Sequence, residues 1–221
     1  MSSMRKGIDF IMKKMNRRRI ASAALVLALC FLSGCSNAVK DGAKLLEEGN
    51  YEEAVTMFEQ VTADEDASSA QLAEAYRGLG LASYELKQYD RVVGYMEKAL
   101  EAGGEETPTL YNLTGISAMR QEDYETALDA FEKGIGLYES KDKSGTDWQK
   151  KSSETDYQEV LREMKFNRII CYEKSYNWEQ AKNAVEEYLE EYPDDEAAQH
   201  EADFLAVAGD TSVEPPVRKT E

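Results

Sequence analysis

Tyr76-Arg77-Gly78-Leu79-Gly80-Leu81-Ala82-Ser83-Tyr84-Glu85-Leu86-Lys87-Gln88-Tyr89-Asp90-Arg91-Val92-Val93-Gly94-Tyr95-Met96 is the stretch on which the reading of this chain turns. Its apolar residues recur at three- and four-residue spacing on both sides of a polar break at Lys87-Gln88. That spacing puts one apolar stripe on each of two helices, with the break as the turn between them. A lone helical hairpin cannot bury such stripes. The stretch therefore demands neighbours of the same kind.

Those neighbours are present in the sequence. Aligned on the aromatic that opens the second helix, Tyr51, Tyr89, Tyr124 and Trp178 form a register. Three residues after each stand Ala54, Val92, Ala127 and Ala181, and seven after stand Phe58, Met96, Phe131 and Val185. Nine before each come Gly42, Gly80, Gly115 and, out of pattern, Ile169; thirteen before the middle two come Tyr76 and Tyr111. The period is 38 residues, then 35, then 54. Self-similarity at such a period marks a repeat architecture, in which stacked units bury a continuous core.

The register resembles the tetratricopeptide repeat, a helix-turn-helix unit with a glycine in its first helix and an aromatic, a small residue and a large apolar residue in its second. The resemblance implies an all-α solenoid of about four repeats. Asp194 to Ala208 reads as a C-terminal capping helix with an acidic outer face. Pro108 suits the first turn of a helix. Two features depart from the pattern. Lys165 stands where the first helix of the fourth repeat should carry its aromatic, and a polar insertion at about residues 142–157, with Trp148 in it, lengthens the last period. Residues 209–221, with Pro215-Pro216 and no apolar pattern, should lack fixed structure.

The amino terminus reads differently. Seven basic residues between Arg5 and Arg19 precede the uncharged, mostly apolar run from Ile20 to Leu32. That run is too short to span a bilayer, which takes about 20 residues, and the arrangement is that of a secretory signal. Leu32-Ser33-Gly34-Cys35 resembles the lipobox of bacterial lipoproteins, which implies cleavage after residue 34 and a diacylglycerol on Cys35. The expected organisation is thus a signal at 1–34, a solenoid at 35–208 and a tail at 209–221. The expected location is the outer face of the cytoplasmic membrane, or the outer membrane in a Gram-negative source, which Ser36 would permit.

Removing residues 1–34 takes away seven basic side chains and one acid, moving the formal net charge from −17 to −23. A surface that acidic repels nucleic-acid phosphates. Cys171 is then the one free thiol, so no disulfide framework is possible. No catalytic constellation or metal site is expected. His200 is the single histidine, Gly115-Ile116-Ser117-Ala118-Met119 lacks the closing glycine of a nucleophile elbow, and Asp64-Glu65-Asp66 and Asp194-Asp195-Glu196 lack the spacing of a calcium loop.

Carried over from the resemblance, the first helices line a groove, with Arg77, Leu81 and Tyr84 from the second repeat, and Asn112, Ile116, Met119 and Arg120 from the third. Phe166, Ile170 and Lys174 come from the fourth. The chaperone-binding carboxylate clamp is not expected, because Val39 and Ala43 occupy its first-repeat positions. Half of these groove residues could equally be core. The resemblance implies a membrane-anchored adaptor that binds a protein or peptide, without cofactor. The alternatives are a lipoprotein binding a peptide or small ligand, or a component of an outer-membrane assembly machine.

Overall fold

The computed structural model describes residues 34–140 and 154–208. Residues 1–33, where a signal is expected, the insertion with Trp148 as far as residue 153, and the tail from 209 lie outside the described residues. Among those described there are nine α-helices and no strand: α1 (Gly34–Glu47), α2 (Tyr51–Thr62), α3 (Ser69–Glu85), α4 (Tyr89–Glu101), α5 (Pro108–Arg120), α6 (Tyr124–Glu139), α7 (Glu154–Lys174), α8 (Trp178–Glu191) and α9 (Glu196–Ala208). The fold is an all-α solenoid of four hairpins with α9 as cap. The substantial contacts run between consecutive helices and, along the row of first helices, between α1 and α3 and between α5 and α7, with α3 and α5 touching only slightly.

Helix ends follow from local chemistry. The Ser68 hydroxyl accepts from the Gln71 N–H while the Gln71 side chain accepts from the Ser68 N–H, a reciprocal capping box that opens α3. Thr107 caps α5, with Pro108 in the first turn where its missing N–H does no harm. Every hairpin turns in the same way, two residues before its aromatic. Gly49, Lys87, Glu122 and Tyr176 all take positive φ, between 59° and 76°. The next N–H reaches back five residues, from Asn50 to Leu45, Gln88 to Ser83, Asp123 to Ala118 and Asn177 to Tyr172. This is the Schellman closure, which satisfies carbonyls that the helix end would otherwise leave bare.

The aligned small residues Ala54, Val92, Ala127 and Ala181 are all 0 % exposed, so the register marks the closest approach within the stack. The glycines show why. A Cβ on Gly42 would lie 2.8 Å from the Phe58 ring, one on Gly80 2.7 Å from Met96, and one on Gly115 2.4 Å from Phe131. In each case the large side chain sixteen residues on fills the space that a glycine side chain would need. The fourth hairpin inverts the arrangement. Ile169 takes the glycine place and Val185 takes the large place, and both are buried in one cluster. The departure seen in sequence is thus a volume-conserving exchange, the kind that cores tolerate best.

Lys165 is accommodated differently. Its side chain is only 11 % exposed, and its ammonium meets Glu191 at 2.6 Å and Glu139 at 3.7 Å. The aliphatic stem occupies the aromatic's place while the charge reaches the edge. The last part of the insertion, from Glu154, belongs to α7.

Candidate functional site

The first helices form the concave side of the stack, and two troughs open there. The first, about 440 Å³, lies over α1, α3 and α5. Its floor includes Val39 and Leu46 of α1, Leu81 of α3 and Leu113 of α5, with Tyr157 of α7. Glu47, Glu74, Arg77 and Glu105 stand around it. The second, about 560 Å³, lies between α7 and the start of α9. Val160, Phe166, Tyr188 and Ala197 line it, with Glu159, Arg162, Glu163 and Asp195.

Both cations that line the troughs are already paired. Arg77 meets Glu74 at 2.7 Å on its own helix. Arg162 meets Asp195 at 2.6 Å and donates from Nε to the Tyr188 hydroxyl at 3.0 Å. The Tyr188 hydroxyl in turn donates to Asp195 Oδ2 at 2.7 Å, and the other Asp195 oxygen accepts the N–H groups of Ala197 and Ala198. This network ties α9 to α7 and α8. Bonded by Arg162 above all, the Asp195 carboxyl is pulled down to about 2. Burial pushes the Tyr188 hydroxyl up to about 12.

The residues read from sequence do not share one surface. Arg77 and Leu81 line the first trough, and Phe166 lines the second. Ile116 and Met119 pack against the core cluster built on Phe131, and Asn112 is 5 % exposed, its amide donating to Glu163 at 2.7 Å. Tyr84 lines neither trough: it stacks edge-on against Tyr89, and burial above all, then the Glu163 charge, raises its pKa. Arg120 and Lys174 are exposed, Ile170 half-buried, and none of the three lines either trough. The groove read from sequence carried positive charge. The troughs carry negative charge instead, because Arg77 is neutralised and α7 brings in Glu159 and Glu163.

Sequence reasoning missed Glu47, Glu105, Glu159, Glu163 and Asp195. A usable signal existed only for Glu159 and Glu163, since a spacing of four puts both on one face of a helix. Cys171 is buried in the core, and burial pushes its thiol up to about 12, so it packs as an apolar residue.

Residues 44–107 match the tetratricopeptide-repeat family model. Solved structures with the same architecture include YrrB, described as a tetratricopeptide-repeat protein with an unusual peptide-binding site. It is 20 % identical, with a TM-score of 0.59 over 76 % of this chain and 74 % of that one. MamA of AMB-1 is 16 % identical, with a TM-score of 0.57 over 77 % and 80 %. MamA of RS-1 is 15 % identical, with a TM-score of 0.59 over 81 % and 86 %. Residues 44–107 thus carry the tetratricopeptide-repeat pattern, and the rest of the described chain shares the fold of these solved structures. A search of curated proteins found no match. The concave side of the stack presents apolar floors in open troughs. Among the described residues no helix is long and apolar enough to cross a membrane.

Proposed function

We propose that this protein is an exported, lipid-anchored adaptor that holds a protein segment along its concave side. The observation that carries the reading is the open apolar floor of the first trough, Val39, Leu46, Leu81 and Leu113, with Val160 and Phe166 lining the second. Grouped apolar residues in a concavity mark a binding surface, and a shallow groove suits an extended chain or a helix. The anchoring half of the proposal is supported by the basic and apolar segment ending in Leu32-Ser33-Gly34-Cys35. Since α1 opens at Gly34, the stack would start at the lipid itself.

Photocrosslinking in cells from Leu81, Leu113 and Phe166, with Glu101 on a second helix as control, tests the reading. One dominant protein captured from the groove positions and absent from Glu101 is expected. In the same cells Cys35→Ser should move the chain from the membrane to the soluble fraction. Equal capture from Glu101, or no adduct at any groove position in a folded and anchored chain, would sink the adaptor reading.

A further inference from the structure

We infer that the occupant of the concave side is a cationic segment, with lysine or arginine interspersed among large apolar residues. The inference rests on the protein-binding reading above and adds the chemistry of the partner. The two troughs include six carboxylates, from Glu47, Glu74, Glu105, Glu159, Glu163 and Asp195, against Arg77 and Arg162. Each arginine is matched within the stack, one by Glu74 and the other by Asp195. Glu47, Glu105, Glu159 and Glu163 are left without a cation among the described residues.

The placement of those four is informative. Glu159 and Glu163 are four apart on α7, and like charges at that spacing weaken a helix unless something neutralises them. Glu163 is held toward the middle of the concave side by the Asn112 amide at 2.7 Å. Glu47 and Glu105 stand beside the apolar floor of the first trough. Carboxylates at the edge of an apolar floor fit long cationic side chains, whose methylenes cover Leu46, Leu81 and Leu113 while their heads reach the acids. An acidic segment would meet like charge at every one of these positions, and juxtaposed like charges suppress wrong partners.

The intact chain in detergent, panned against a library of short random peptides, gives the test. Enriched peptides should combine lysine or arginine with large apolar residues and weaken with added salt. The quadruple variant Glu47→Gln/Glu105→Gln/Glu159→Gln/Glu163→Gln should bind them about tenfold more weakly. A control removing four exposed acids of the second helices, Glu52→Gln/Glu97→Gln/Glu125→Gln/Glu186→Gln, has the same net charge and should bind as the parent does. Equal weakening in both variants would assign the preference to net charge and overturn the inference. Neutral or acidic peptides whose binding is lost on Leu81→Arg would overturn the cationic assignment and leave the groove reading standing. Failure to enrich any peptide sensitive to Leu81→Arg would overturn both.

Discussion

Replacing Ile169 by glycine should destabilise the fourth hairpin by about 3–5 kcal/mol, from the lost side chain, the cavity and the glycine penalty in a helix. Replacing Val185 by phenylalanine alone should cost about 1–3 kcal/mol by overpacking a filled site. Together the two substitutions recreate the arrangement of the first and third hairpins, where Gly42 faces Phe58 and Gly115 faces Phe131 at the same separation of sixteen residues. The double variant should therefore recover most of the loss. Denaturant midpoints of the four chains close a double-mutant cycle, and pairs in contact show coupling of about 0.5–3 kcal/mol. Additive losses would mean that the two positions do not share one volume, and that the fourth hairpin owes its packing to something else.

Asp195 carries the second large effect. Alanine there removes the Arg162 and Tyr188 partners and the cap on the Ala197 and Ala198 N–H groups at one stroke. A loss of about 2–3 kcal/mol is expected from charged hydrogen bonds and a lost cap. Asparagine keeps the capping oxygen and removes the charge, so its loss should be smaller. The pH dependence follows from the carboxyl standing at about 2 in the folded chain, below its ordinary 3.8. The folded state then binds fewer protons than the unfolded one, so the contribution is complete above the ordinary value and disappears as pH falls through 3.8 toward 2. With Arg162 half exposed, its size is about 1–2 kcal/mol after allowance for solvent screening. Stabilities of the parent and Asp195→Asn, followed through an acid titration, should differ fully above about pH 4 and converge near pH 2. Curves separated by a constant offset at every pH would contradict the assignment.

Much of the stack was legible in the sequence because its repeat positions do one job each. A residue that must be as small as Ala54 or Ala127 to let helices touch cannot drift without breaking the stack, so the register survives in the letters. The exchange at Ile169 and Val185 was present in the same alignment, yet it reads as a flaw until the glycine and the large residue are seen to occupy one space. Close approach also has a participant that the register did not name. A Cβ on Gly78, two residues before the aligned Gly80, would fall 2.3 Å from the Phe58 ring, because that ring lies between Gly42 of its own hairpin and Gly78 of the next.

The candidate site was harder to read for a physical reason. Which apolar residues face inward follows from helical period, but whether a given one is floor or core depends on what the next hairpin covers. Asn112 and Ile116 occupy the same register places as Arg77 and Leu81. The long α7 lies over α5, takes Asn112 out of solvent and leaves Arg77 and Leu81 in the open trough. The acids were equally hidden. In a chain with 43 of them, no local pattern separates Glu105 from a solvated neighbour.

Because the described helices pack mainly on their nearest and next-nearest neighbours, tension applied to the two ends meets no contact that bridges the whole length. Such a stack yields in steps, hairpin after hairpin, starting from the weaker end. A segment lying across several first helices would change that behaviour, since it would couple units that otherwise unravel singly. Force-extension traces should show separate small steps for the free chain and fewer, larger ones once the concave side is filled. On this view the groove is also where the molecule becomes stiff.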